Sequence, residues 1–335
     1  MSRDTPVRPQ APAAAGPEPG APRAAAGRRR RAASRSRTGA RDARAAAGFL
    51  LPFLSLFGLC FLAPIGYALW TSLRRTERTG PLGLGGRQHE VFAGLANYAQ
   101  ALADARFLAG FGRVLLFGAV QIPLMTVLAT GLALLLESAS ARAVTFFRSA
   151  FFLPYGVPGV IASILWGFLY VPGISPLVKI AQSAGWNVDF LSRGNVLWSL
   201  ANIVTWQFTG YTMLVLIAQL KAVPGELYEA ARIDGANAWQ VARHVKLPLI
   251  RPALVLTCVF SIIGTLQLFA EPMVLRPLSS AIDSGYTPNL HAYSEAFVGN
   301  NQQLAAAEAV LLALVACAAS FGFLRLVGGR GKERG

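Results

Sequence analysis

Charge is scarce in this sequence. Of its 335 residues only 14% are Asp, Glu, Lys or Arg, whereas 54% are hydrophobic; a soluble domain carries about a quarter charged residues. A chain this apolar, with a mean hydropathy of +0.46, could cover a water-facing surface only with difficulty. Cysteine is rarer still. Cys60, Cys258 and Cys317 all fall in apolar runs, which fits small buried hydrophobes and excludes a disulfide framework or metal-ligand spacing. The three histidines, His89, His244 and His291, lie in unrelated segments. No carboxylate pair or Ser/His/Asp set is arranged for catalysis. A nucleotide loop is missing too, because Gly331-Lys332 is followed by Glu333 and lacks the earlier glycine and the Ser/Thr of such a loop. The chain is expected to be no enzyme and to bind no metal and no cofactor of its own.

What is abundant is long apolar sequence. Six runs approach the roughly 20 residues that span a bilayer, at 48–73, 114–136, 150–171, 196–220, 253–270 and 304–324. The fold class this predicts is an all-α polytopic membrane protein of six transmembrane helices. The formal charge of +15 suggests nucleic acid at first, but its distribution follows the membrane. With the N-terminus inside, 22 of the 31 Lys and Arg lie on the inner side and nine outside, the asymmetry expected of cytoplasmic loops. Both termini are therefore expected on the cytoplasmic side of the membrane, with no nucleic-acid partner. Residues 1–47 are Ala, Pro, Gly and Arg with almost no large apolar side chain. They read as a disordered basic tail that acts as a cytoplasmic anchor fixing orientation, with binding of anionic lipid or nucleic acid by Arg28–Arg31 as the alternative. Residues 328–335 read as a second short cytoplasmic tail.

Between the spans, a short helix is expected from Asn97 to Phe111. The run 150–171 should be broken or kinked by Pro154, Gly156, Pro158 and Gly159. The external segment 172–195, with Trp186 and Phe190, is expected to lie on the membrane surface. Span six is Ala-rich, which permits close helix–helix approach.

The most informative stretch is polar and sits between spans four and five. Pro224 suits a helix start, and Glu226 and Glu229 complement the positive end of its dipole. Ala230 and Ala231 are strong helix formers whose small side chains allow a partner close approach. Gly235 is a natural left-handed stop. Asn237, with Gln240 three residues on, approximates a capping box for a second helix, Ala238–Leu247, expected to end by Pro248. From these residues alone, a docking lever and an ordinary cytoplasmic helical hairpin both remain open.

The string Glu229-Ala230-Ala231, then Asp234-Gly235-Ala236, then Leu247-Pro248 with Arg251-Pro252, resembles the EAA loop of permease subunits in binding-protein-dependent ABC importers. Gly94–Tyr98, Leu153–Pro158 through Trp166, and Pro288–Tyr293 are similar to the carbohydrate-uptake branch and its maltose- or glycerol-phosphate-type first permease. The resemblance covers about 48–327. It implies a type I importer permease domain at 48–327 whose cytoplasmic loop, 222–252, engages a separate ATPase. The implied partners are a second permease subunit, an ABC ATPase dimer using ATP and Mg, and an extracytoplasmic solute-binding protein. One departure is Ala242, where the family usually has an aromatic; Trp239 could compensate.

Polar groups inside spans are costly and face cavities or partner helices. Near mid-span these are Gln121, Asn202, Gln207, Thr209, Tyr211, Ser261, Thr265 and Gln267. Of these Gln207, Tyr211, Ser261, Thr265 and Gln267 are the candidate substrate path, with interhelical hydrogen bonding as the alternative role for each. Neutral amides and hydroxyls suit a sugar, and Trp166, Trp206 and Tyr211 could stack on its ring. Glu308 is expected at a gate or interface, or reaching the headgroups. A sugar or oligosaccharide importer is the leading reading. A permease for a glycerol phosphoester or another solute, and a secondary transporter, are the alternatives.

Overall fold

The computed structural model describes residues 47–79, 87–138 and 142–329. The expected basic tail, 1–47, falls outside them apart from its last residue, as do residues 330–335 of the expected C-terminal tail. The chain divides into two units, Met1–Ile65 and Gly66–Gly335, and every site considered below lies within the second.

Thirteen helices are described. The first, α1 (Ala47–Ser72), is followed by the strands β1 (Arg74–Thr79) and β2 (Arg87–Phe92). Then come α2 (Ala96–Ala103), α3 (Ala105–Leu136), α4 (Val144–Phe152), α5 (Gly159–Tyr170), α6 (Pro176–Ser183) and α7 (Val196–Lys221). The polar loop carries α8 (Gly225–Ile233) and α9 (Ala238–Val241). It is followed by α10 (Arg251–Leu266), α11 (Ala270–Leu275), α12 (Pro288–Phe297) and α13 (Gln302–Gly329). Five helical stretches are long and apolar enough to cross a membrane, and six when the bent pair 144–156 and 159–170 counts as one. The six expected spans match these, with their ends displaced.

The displacements have local causes. The helix expected from Asn97 to Phe111 is cut at Asp104, whose carboxylate accepts hydrogen bonds from the amides of Arg106 (2.7 Å) and Phe107 (3.2 Å). That side chain caps a new helix, so span two starts at Ala105 rather than 114. Span three bends by 98°. Val157 and Pro158 are extended there (ψ 124° and 137°), because the proline ring bars the helical region to its predecessor. The β1–β2 hairpin departs from an all-α chain. It runs antiparallel from Arg74↔Phe92 to Thr79↔Arg87, with an Arg74–Glu90 ion pair at 3.3 Å. The segment 172–195 holds α6, with Trp186 exposed and Phe190 packed on the core.

Polarity is distributed opposite to that of a soluble protein. Gln121, Ser163, Thr205 and Thr212 are buried, while Leu115, Leu124, Val127 and Leu135 of α3 face outward. A bilayer rewards that arrangement, since it solvates apolar side chains and offers polar ones no partner. The most extensive helix pairing is α3 with α7. Ala129, Ala133 and Leu136 of α3 pack with Met213, Leu216 and Leu220 of α7 and Ile250, at the end of the bundle that carries the polar loop. The second main cluster joins Phe117, Leu200, Ile203, Leu275 and Leu290. Small residues make the closest approaches. A Cβ on Gly118 would lie 2.9 Å from the Thr265 methyl group, and one on Gly167 would lie 2.9 Å from Leu275. Ala305, Ala307 and Ala316 of α13 are buried, as expected for an Ala-rich span.

Candidate functional site

Two features stand out, the polar loop and a cavity among the spans. In the loop, α8 ends in a Schellman turn: Ala236 N–H donates to Ala231 O and Gly235 N–H to Arg232 O, both at 3.0 Å. Gly235 has φ +81°, a region that glycine enters without the penalty a Cβ brings. Asn237 then caps α9. Its amide donates to Gln240 Oε1 (2.8 Å) while its own Oδ1 accepts from the Gln240 amide (2.9 Å), a complete capping box. Glu229, Ala230, Asp234, Gly235, Leu247 and Pro248 are exposed, and Ala231 and Ala236 are half-buried.

Two expectations for the loop need correcting. The second helix does not end by Pro248. It widens into a π-turn over Ala242–Lys246 and runs on through Leu247–Leu249, because the wider turn accommodates a proline that an α-turn would exclude. Nor does Trp239 compensate for Ala242, since it is 70% exposed; Ile233 is 87% exposed. Two bulky apolar side chains therefore project from the loop into solvent.

The loop is also tied to the spans. Tyr228 Oη donates to Leu220 O (3.2 Å), and Lys246 Nζ donates to Glu137 O (3.3 Å) while sitting 5.4 Å from the centre of the Tyr228 ring. Glu137 pairs in turn with Arg148 of α4. Burial, with the Glu137 charge behind it, raises the Tyr228 hydroxyl pKa above its usual value.

The cavity has a volume of about 790 Å³ and is walled by α3, α7, α10, α11 and α13. Of the residues expected on a substrate path, Tyr211, Ser261, Thr265 and Gln267 line it, and Gln121 joins them. Gln207 does not. Its Nε2 donates to Val157 O at 2.8 Å across the break in span three, leaving Oε1 buried without a partner. Asn202 and Thr209 also have interhelical or local roles: Asn202 Nδ2 donates to Tyr170 Oη (2.8 Å), and Thr209 Oγ1 donates to Thr205 O. Trp166 and Trp206 meet edge-on at 5.8 Å but do not line the cavity.

The aromatic wall is instead Tyr155, stacked on Tyr211 at 4.7 Å, with Phe208 edge-on to Tyr155 and Phe260 and Phe269 nearby. Tyr155, Glu271 and Asn289 are lining residues that sequence reasoning missed. An acidic residue at the end of an apolar run was the available signal for Glu271.

Glu308 neither reaches the surface nor lines the cavity. It is wholly buried, with both carboxylate oxygens 3.0 Å from His291 Nδ1, while His291 Nε2 lies 3.6 Å from Asp104 Oδ2. The hydrogen bond to Glu308 holds the His291 pKa above 6.5, against the opposing pull of burial; the charges of Glu308, Asp104 and Glu295 add to the rise. Three segments that looked unrelated in sequence are joined at this point.

Residues 126–330 match the family described as binding-protein-dependent transport system inner membrane component. The trehalose transport system permease protein SugA of Mycobacterium tuberculosis is 32% identical over 297 residues, covering 88% of this chain and 92% of its own length. The probable starch degradation products transport system permease protein AmyD of Thermoanaerobacterium thermosulfurigenes is 31% identical, covering 69% of this chain and 78% of its own. The sn-glycerol-3-phosphate transport system permease protein UgpA of Yersinia enterocolitica is 28% identical, covering 79% and 88%. The fold is that of a chain in a bacterial ABC transporter involved in the import of the acidic polysaccharide alginate, with a TM-score of 0.73, 18% identity and coverage of 88% of this chain and 98% of the other. The chain thus belongs to the binding-protein-dependent transport system inner membrane component family, and is a multi-pass ABC importer permease.

Proposed function

We propose that this chain is the transmembrane subunit of an ATP-driven importer that carries a neutral sugar or oligosaccharide across the bacterial cytoplasmic membrane. The observation that carries the substrate class is the cavity wall, where the amides of Gln121, Gln267 and Asn289 and the hydroxyls of Tyr211, Ser261 and Thr257 alternate with aromatic faces. Amides and hydroxyls exchange hydrogen bonds with sugar hydroxyls, and aromatic rings cover the apolar face of a pyranose. Two relatives named for trehalose and for starch degradation products support the same reading. A glycerol phosphoester is the runner-up, favoured by the UgpA likeness, but the cavity wall offers it no Lys, Arg or His.

ATP and Mg are used by a separate ATPase dimer, which docks on the 222–252 loop through the exposed face of Glu229–Ala236. A second permease subunit completes the path, and an extracytoplasmic binding protein delivers the solute. The six-span domain occupies 48–327, and both tails are cytoplasmic. Closure of the ATPase dimer moves α8 and α9 as a stiff pair, capped at each joint, and the Tyr228–Lys246–Glu137–Arg148 contacts pass that movement to α3 and α4 as well as to α7 and α10.

The test is uptake into proteoliposomes holding the chain with the ATPase and binding protein that co-purify with it. Labelled trehalose, maltooligosaccharides and sn-glycerol 3-phosphate are offered in turn. ATP-dependent accumulation of a neutral sugar supports the reading. Accumulation of the phosphoester alone overturns it.

A further inference from the structure

The cavity wall holds one carboxyl group. Glu271, in the first turn of α11, lines it, and makes no ion pair among the described residues. No Lys, Arg or His lines the cavity with it. Behind it, outside the cavity lining, lies an unmatched acceptor. Gln207 is 6% exposed, and its amide is oriented by the 2.8 Å bond from Nε2 to Val157 O, so that Oε1 is left buried and unpartnered.

The two acceptors converge on one place. A Cβ built on Gly159 would lie 3.5 Å from Glu271 Oε1 and 3.9 Å from Gln207 Oε1. Gly159 opens α5 directly after the break in span three, so the missing side chain keeps this corner open. A buried acceptor without a donor, as at Gln207 Oε1, is destabilising, and the half-buried Glu271 carboxyl faces the cavity with no cation beside it. A solute that brings donors gains hydrogen bonds at Glu271; one that brings negative charge meets repulsion from the carboxylate.

We propose that Glu271 forms a donor-seeking subsite on the cavity wall that gives the path its charge selectivity. It admits solutes presenting hydroxyl or ammonium groups, neutral sugars and amino sugars among them, and it rejects solutes bearing phosphate, sulfate or carboxylate at that position. This rests on the cavity being the transport path.

The experiment reads the field directly and needs no knowledge of the solute. Cys60, Cys258 and Cys317 are replaced by Ala, and Ala313→Cys places one thiol on the α13 wall of the cavity. The full chain, in its purified transporter complex, is then reacted with a trimethylammonium-bearing and a sulfonate-bearing methanethiosulfonate. The ratio of the two rates, divided by the same ratio for free 2-mercaptoethanol, should be about ten-fold above one, the order expected for one uncompensated charge at close range. Glu271→Gln should bring it to near one, and Glu271→Asp should keep most of it. A ratio near one in the Glu271 protein overturns the charge filter even if the variants fail to assemble. So does a raised ratio that Glu271→Gln leaves unchanged. Labelling by neither reagent overturns the path reading itself, which distinguishes that failure from a failure of the filter.

Discussion

Gly210 of α7 and Phe151 of α4 touch backbone to backbone: a Cβ on Gly210 would lie 1.8 Å from the Phe151 carbonyl oxygen and 2.9 Å from the Phe152 Cα. Only a residue without a side chain lets the end of α4 cross α7 at that depth. The crossing sets where the bend of span three lies, and hence where Tyr155 meets Tyr211 in the cavity wall.

Gly210→Ala should therefore be among the most damaging single-methyl additions in the chain. The clash is with backbone, which cannot rotate away, so the expected cost exceeds the roughly 1–3 kcal/mol of ordinary overpacking. Thermal unfolding of the detergent-purified chain would show it as a large drop in midpoint or as loss of folded material. Gly131→Ala, where nothing lies within 4 Å of the added methyl group, is the control and should not lower the midpoint, since Ala is the better helix former.

The His291–Glu308 contact makes a prediction about pH. A histidine whose folded pKa lies above its ordinary 6.5 adds stability that is complete below that value. The contribution is lost as pH rises through the raised folded value. The chain should accordingly lose thermal stability on going from pH 6 to mildly alkaline conditions, and His291→Gln should flatten that dependence. Glu308 is wholly buried, so Glu308→Ala should be the harsher change at every pH, because it leaves the imidazole without its main partner. A pH profile identical in the wild type and His291→Gln would contradict the assignment.

How far the sequence reveals this protein differs between its parts. Span positions were legible because the apolar runs are long and the bilayer fixes their length. The loop was legible almost residue by residue, since Gly235, Asn237 and Gln240 act through local backbone chemistry that short sequence distances encode. The cavity wall was largely legible. Tyr211, Ser261, Thr265 and Gln267 face the cavity, but Gln207 turned to the Val157 carbonyl, a partner 50 residues away that no periodicity reveals. The Asp104–His291–Glu308 cluster was invisible too, because His291 and Glu308, 17 residues apart, lie on different helices and Asp104 is far from both in sequence. The proline at 248 misled because a π-turn, which has no sequence signature, lets the helix pass it.

Asn237 makes a smaller, local prediction. Asn237→Ala removes an acceptor for the Gln240 amide and should cost about 1 kcal/mol of local helix stability. Hydrogen exchange in α9 should quicken by several-fold, while exchange in α3 and α7 stays as in the wild type. Equal exchange in α9 would mean that the cap does not stiffen the loop.

The claim that the 222–252 loop docks a separate ATPase is tested most directly by co-purification of Gly235 variants. Gly235 sits at φ +81° with open space around it, so a substitution there acts through backbone conformation rather than through a clash. A β-branched residue is strained in that region by roughly 1–2 kcal/mol or more, whereas Asn tolerates it. Tagged Gly235→Val should insert in the membrane normally yet lose its ATPase partner and its ATP-dependent uptake, and Gly235→Asn should keep both. A Gly235→Val protein that retains the ATPase in full, with unaltered uptake, would contradict the account.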